Sequence, residues 1–247
     1  MKQTRLMMGM PITVAVADVS VTPEDLEDIF NYFDSVDQRF STYKKESEIS
    51  RINGGLAKSK WSDEMRSVLE LCELTKRETG GYFDIWHDGR CDPSGLVKGW
   101  AIQNAAELLR QKGFRNYYVD AGGDIQASGQ GAGGQSWQVG IRSPFNRDEI
   151  IKALYISEAA VATSGDYIRG QHIYNPHDPG DRLDEVASLT VVGPNIFDAD
   201  RFATAAYAMG AAGVAFIEKL DGFEAYSIDR RGLATMTSGF ERHVASV

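Results

Sequence analysis

Residues 116–129, NYYVDAGGDIQASG, read as a strand, a Gly-Gly turn and a second strand. Asp and Gly are the commonest turn residues, and the flanks carry strand-forming Tyr, Val and Ile. Antiparallel neighbours follow from such a turn. Working outward, SWQVGIRSP reads as a strand and IIKALYISEAAVATSG as two short ones. VASLTVVGP is a further strand, and FEAYSIDRRGLATMTSGF is a hairpin around Asp229–Gly232. The N-terminal stretch MKQTRLMMGMPITVAVADV reads as the first strand, with its regular part at Met10–Ala17. Helices come as long insertions. One opens at Thr22-Pro23-Glu24 and carries Leu26, Ile29, Phe30, Phe33 and Val36 as its apolar stripe. Another spans Ser62–Thr79, with Met65, Val68, Leu69, Leu71, Cys72 and Leu74 inward, and stops at Gly80-Gly81. A third runs from about Leu96 to Lys112. The stretch FSTYKKESEISRING reads as an irregular excursion. The expected fold is α+β, a mixed and largely antiparallel sheet with inserted helices, built as one domain over 1–247.

The 247 residues carry 26 basic and 35 acidic side chains, a net charge of −9, and 43% are hydrophobic. No Lys/Arg block is present, which argues against a nucleic-acid surface. A chain of this sign repels anionic ligands, so a phosphate substrate requires local cations. Cys72 and Cys91 belong to no CxxC or Cys/His cluster and read as free thiols, Cys72 in the core. No apolar run reaches the length of a membrane span, and the N-terminus lacks a cleavage site, so a cytoplasmic protein is expected.

Four segments look chemical. In Asp92-Pro93-Ser94-Gly95-Leu96-Val97-Lys98-Gly99, a glycine precedes a helix whose first amides favour an anion. Lys98 would then sit in the first turn, against the dipole preference, as a phosphate site explains. A plain loop-to-helix turn explains the stretch equally well. Asp120-Ala121-Gly122-Gly123-Asp124 either sets amides and a carboxylate against a ligand or merely turns a hairpin, the simpler reading. His172 lies between a Ser/Thr/Gly loop and a Pro turn, away from any amphipathic stripe, which suits a catalytic base or a packed histidine. GxSxG and HExxH motifs are absent.

The fourth, DADRFATAAYAMG (198–210), is an Ala-rich helix that opens on two acids. Asp200 and Thr204 stand four apart and share one face. One carboxylate and one hydroxyl suit Mg²⁺, which completes its shell with water and substrate phosphates. Gly95 is a candidate backbone-oxygen donor. On residues alone the simpler reading is a cap by Asp198 or Asp200, with Thr204 bonded back to a carbonyl.

Together MGMPITV, FSTYKKESEISRIN, GGYFD, DPSGLVKGWA, YYVDAGGDIQASG, WQVGIRSP, VATSGDY, HIYNP and DADRFATAAYAMG resemble, in order, the FAD:protein FMN transferase (ApbE-like) family. The resemblance implies an α+β fold, bound FAD, and Mg²⁺-dependent transfer of FMN to a Thr or Ser hydroxyl of a flavoprotein acceptor, releasing AMP. It implies Gly95, Asp200 and Thr204 as metal ligands and His172 as the catalytic group acting on the acceptor hydroxyl. Flavin and phosphate contacts fall to Met8, Tyr43, Tyr82, Phe83, Asp84, Asp92 and Lys98, and a supporting role to Asp120 and Asp124. Two departures stand out. The long segment many members carry before DPSG shrinks here to IWHDGRCDP, so part of the pocket wall is absent or replaced. Tyr174 replaces the usual aliphatic residue after His172-Ile173. An FAD pyrophosphatase giving FMN and AMP, or a non-catalytic flavin binder, would use the same residues.

Overall fold

The Gly122–Gly123 turn holds both glycines at positive φ, 65° and 101°, and pairs Ala121 with Asp124 across a two-residue loop. Such a loop twists with its strands, and only residues tolerant of positive φ make it cheaply. The Asp120 carboxylate locks it by accepting the Gly123 N–H at 2.8 Å. This computed structural model describes residues 1–146, 148–166, 173–178, 180 and 182–245.

Along the chain, β1 (Lys2–Met7) and β2 (Met10–Val16) precede α1 (Pro23–Phe40), α2 (Glu48–Asn53) and α3 (Asp63–Glu78). A small hairpin, β3 (Trp86–His87) and β4 (Arg90–Cys91), leads into α4 (Ser94–Gln111). Then come β5 (Tyr117–Ala121), β6 (Asp124–Ser128), β7 (Trp137–Arg142), β8 (Ile150–Ile156), β9 (Ala159–Gly165) and β10 (Val186–Gly193). The chain continues through α5 (Ile196–Ala208) and α6 (Gly213–Ile217) to β11 (Glu224–Asp229) and β12 (Ala234–Met236). Eight strands form one sheet in the order β1-β2-β5-β6-β9-β10-β11-β12. Every neighbouring pair in it is antiparallel. The fold is α+β as the sequence predicts, and the parallel pairing that expectation allowed does not occur among the described strands.

The sheet is covered on both faces. Leu189 and Val191 of β10 join the larger core, with Phe30 and Phe33 of α1, Ile102 and Leu109 of α4, and Ala203 of α5. Val192 points the other way, to Leu154 and Ile156 of the β7–β8 hairpin and to Phe240. That double cover is why all eight residues of β10 are buried.

Several local expectations need correction. The N-terminal stretch is a hairpin and not one strand. It turns at Met8 and Gly9, with φ of 52° and 73°, and pairs Met7 with Met10. The excursion after residue 40 contains α2, whose N-cap Ser47 accepts the Ser50 N–H at 3.1 Å. Leu74, expected inward, is exposed, and Leu69 and Leu71 are half-buried. The buried stripe of α3 is therefore narrower, at Met65, Val68, Cys72 and Thr75.

Candidate functional site

The site begins where α4 crosses α5. The N-cap of α5 is Asn195, whose side chain accepts the Asp198 N–H at 2.8 Å. Asp198 turns to Arg201, which continues to Glu78 and Thr75. The cap reading therefore fails for both acids. Asp200 is 2% exposed. Its Oδ2 accepts the Gly99 N–H at 2.8 Å, and its Oδ1 lies 3.1 Å from Lys98 Nζ. Lys98 also contacts Asp124 Oδ2, and Asp124 Oδ1 accepts the Thr163 N–H at 2.9 Å. Asp124, given only a supporting role from sequence, is thus a central member of a buried charge cluster.

This geometry revises the reading of Lys98. Its helix starts at Ser94, so Lys98 lies in the second turn, and its charge answers two buried carboxylates. A helix dipole falls off within the first turn, so it has little bearing on this lysine.

Burial pushes the Asp200 carboxyl up from 3.8 to about 7, and the Asp124 charge adds to that; Lys98 and the Gly99 N–H pull it down by less. A folded-state pKa above the unfolded one means the native state keeps its proton longer. The resulting stabilisation is complete below about pH 4 and is lost as pH rises through about 7. The expected result is that metal-free wild type falls in stability against Asp200→Asn as pH goes from 4 to 8. Urea midpoints of both proteins across that range check it; parallel curves would refute the shift.

From this cluster opens a cavity of about 1030 Å³. Asp200, Thr204, Gly95 and Lys98 line it, as do Tyr43, Tyr82, Phe83, Asp84 and Asp92. The structure therefore brings to one cavity nine of the eleven residues assigned metal, flavin, phosphate or catalytic roles from sequence; Asp120 and Asp124, assigned a supporting role, are not among its lining. Met8 does not line the cavity; it sits half-buried in the β1–β2 turn, packed on the larger core. His172 lies outside the described residues. Within the cavity the residues do different work. Phe83 is buried against Gly95, and Tyr43 is 95% exposed at the rim. Tyr82 meets His177 edge-on at 4.5 Å. The Asp84 carboxylate takes Lys76 Nζ at 2.7 Å and the Trp86 N–H at 3.0 Å. Asp92 Oδ1 accepts the Ser94 N–H at 3.0 Å and so starts α4.

The shortened segment before α4 lines the cavity with His87, Asp88, Arg90 and Cys91. Asp88 and Gly89, with φ of 49° and 73°, close the β3–β4 hairpin. Asn53 of α2 clips it from both sides: its Nδ2 donates to the Cys91 carbonyl at 2.9 Å, and its Oδ1 accepts the Cys91 N–H at 2.8 Å. The His87 ring stacks on Tyr174 at 4.1 Å, and the Tyr174 hydroxyl donates to the Asp84 carbonyl at 2.6 Å. Tyr174, noted from sequence only as a departure, anchors this wall.

Sequence reasoning also missed Gly99. A Cβ there would lie 2.7 Å from Asp200 Cβ and 2.8 Å from the Ile196 carbonyl. At Gly95 it would meet Phe83 and Thr204 at 3.4 and 3.5 Å, ordinary contact. The signal for Gly99 was present as a lone glycine within a helical pattern, which often marks close packing.

The donor chemistry suits a hard divalent cation: a buried carboxylate, a hydroxyl one turn on, and the Gly95 backbone lining the same cavity. No group of three or more His, Cys, Asp or Glu placed to hold a metal occurs among the described residues. The charge balance also favours a cation. The lining holds the cations Lys45, Arg90 and Lys98 against the carboxylates Asp84, Asp88, Asp92 and Asp200. An anionic ligand needs a further positive charge there. No helix among the described residues is long and apolar enough to cross a membrane.

Known proteins resemble this chain in sequence and fold. The chain is 23% identical to the FAD:protein FMN transferase of Escherichia coli (strain K12), over 87% of this chain and 79% of that one. It is 31% identical to the FAD:protein FMN transferase of Vibrio cholerae, over 48% of this chain and 38% of that one. The solved flavin transferase ApbE from Vibrio cholerae has a TM-score of 0.83 at 22% identity, with 98% of each chain covered. The ApbE protein of Thermotoga maritima has a TM-score of 0.88 at 20% identity, with 100% of this chain and 99% of that one covered. These likenesses show the fold. The ApbE family model matches residues 8–89 and 86–227, nearly the whole length. The chain belongs to the ApbE family.

Proposed function

We propose that the protein is an FAD:protein FMN transferase, moving FMN from FAD to a Thr or Ser hydroxyl of a flavoprotein acceptor with release of AMP. The observation that carries this reading is the meeting of Asp200, Thr204 and Gly95 on one cavity with Tyr82 and Phe83. A volume of about 1030 Å³ is at the upper end for cofactor sites, as a dinucleotide requires. The curated relatives bear the same activity in their names.

Gly95, Asp200 and Thr204 are the proposed Mg²⁺ ligands, and the ion would supply the positive charge that the pyrophosphate needs. The chain's own residues do the rest. Tyr43, Tyr82 and Phe83 offer faces and edges to the flavin or adenine ring. Gly95, at the start of α4, offers its helix amide to phosphate oxygens, the Ser94 N–H being held by Asp92. The acceptor hydroxyl attacks the FMN-side phosphorus, the bond to the AMP phosphate breaks, and AMP leaves. His172 is the proposed base for the hydroxyl proton. The whole chain, 1–247, is read as one catalytic unit, and the cytoplasm as its compartment; the two free buried thiols are in keeping with a reducing environment.

The test is AMP release from FAD, with and without Mg²⁺ and with and without a Thr-bearing flavoprotein, alongside the acceptor's intact mass. One FMN gained per AMP, only with Mg²⁺, is the expected result. AMP without acceptor modification would replace the transferase by a pyrophosphatase, and no AMP would leave a flavin binder. In the same assay His172→Ala should slow transfer by at least about 10²-fold. FAD affinity should stay within about threefold, because a base that acts on the acceptor contributes little to binding FAD.

A further inference from the structure

Asp124 and Asp200 are each 2% exposed, and each gives one oxygen to a backbone N–H and the other to the same ammonium. Two carboxylates sharing one lysine leave a net negative charge in a water-poor site. Asp124 sits at the start of β6, pinned by the Gly122–Gly123 turn and by the Thr163 N–H of β9. Lys98 and Gly99, adjacent on α4, both face Asp200. The sheet therefore holds one end of the lysine bridge and the helix pair holds the other.

We infer that Lys98 is an internal counter-ion for Asp200, and that Asp124 is a positioning residue which retains the lysine when a divalent cation takes over Asp200. The inference rests on the metal role proposed for Asp200. In the metal-free protein Lys98 compensates a carboxylate that burial would otherwise penalise. When the cation arrives, the ammonium must leave Asp200 Oδ1 without entering the ligand shell. Asp124 gives it a place to stay, already in contact. No bond is made or broken; one ion pair is exchanged for another. Without Asp124 the lysine keeps Asp200 as its buried carboxylate among the described residues and competes with the metal for it.

This arrangement predicts a sign pattern that a purely structural role would not give. Lys98→Met removes the competitor, so the metal binds at least threefold tighter. Asp124→Asn keeps an oxygen for the Thr163 N–H but releases the lysine onto Asp200, so the metal binds at least tenfold weaker. In the Lys98→Met background, Asp124→Asn should cost threefold or less, because there is no lysine left to restrain. Such a cycle isolates the coupling between the two residues.

The measurement is Mn²⁺ binding to the full-length protein without FAD, followed by the electron paramagnetic resonance of free Mn²⁺, with circular dichroism as the check on folding. Wild type is expected to bind one Mn²⁺ and Asp200→Asn none. Equal cost of Asp124→Asn in both backgrounds would overturn the inference, since Asp124 would then act only through its charge. Weaker binding by folded Lys98→Met would overturn it too. If Lys98→Met does not fold, Asp124→Asn still decides: unchanged affinity defeats the inference. A wild type that binds no Mn²⁺ would defeat the metal reading itself, a result distinct from the variant pattern.

Discussion

Asp200→Ala should lower FMN transfer by at least about 10³-fold while the protein stays folded. The expected loss follows from the several kcal/mol that a bound cation contributes at a phosphoryl centre, each 1.36 kcal/mol being worth about tenfold. The expectation of a stable variant follows from the charge cluster. Removing Asp200 leaves Lys98 in contact with Asp124, one ammonium with one carboxylate, and deletes the acid that burial disfavours most. Deleting one partner of a simple buried pair strands the other, but here the lysine keeps a partner. AMP formation and acceptor mass give the activity, and a thermal melt gives the stability. A folded Asp200→Ala protein with wild-type transfer would remove the metal assignment. A protein that fails to fold would contradict the account of Lys98 and Asp124.

Gly99→Ala should destabilise the protein by about 2 kcal/mol, although alanine is the better helix former by about 1 kcal/mol. For a chain of this size that is a fall in Tm of about 4–8 °C. The new methyl would meet Asp200 Cβ at 2.7 Å and the Ile196 carbonyl at 2.8 Å. Both belong to α5, and neither is the free end of a flexible side chain. The helices must move apart, which also lengthens the 2.8 Å bond from the Gly99 N–H to Asp200. Activity should fall with stability, and cooling should not restore it. Gly95→Ala is the contrast in the same melt. Its methyl finds ordinary contacts at 3.4 and 3.5 Å, so Tm should change by less than about 3 °C. Equal shifts for the two variants would show that the α4–α5 approach is not what Gly99 provides.

The two glycines show where reading the sequence succeeds and stops. Gly95 stands out because it precedes a helix in a motif, yet its lack of a side chain is not what the packing demands. Gly99 looks like an ordinary helical glycine, and its necessity comes from a helix 101 positions away in sequence. Lys98 was similarly misjudged, as a dipole anomaly in a first turn. Its actual partners are Asp124 and Asp200, on a strand and on another helix.

What the sequence determined by itself is local and periodic. The α1 stripe of Leu26, Ile29, Phe30, Phe33 and Val36 is buried throughout. The Gly122–Gly123 hairpin, the Asp229–Gly232 turn and the pairing of Asp200 with Thr204 on one helix face were all legible, because spacing and turn chemistry act over a few residues. The tertiary structure decided the rest. It showed that Asn195 and not an aspartate caps α5. It joined Asp124 to Lys98, and it set His87 on Tyr174 to wall the cavity. The Lys98–Asp124 and His87–Tyr174 contacts join positions distant in sequence, and their energies depend on burial, which no local pattern encodes. A carboxylate has an ordinary pKa in a sequence and an unusual one only once a fold removes its water and sets a second carboxylate beside it.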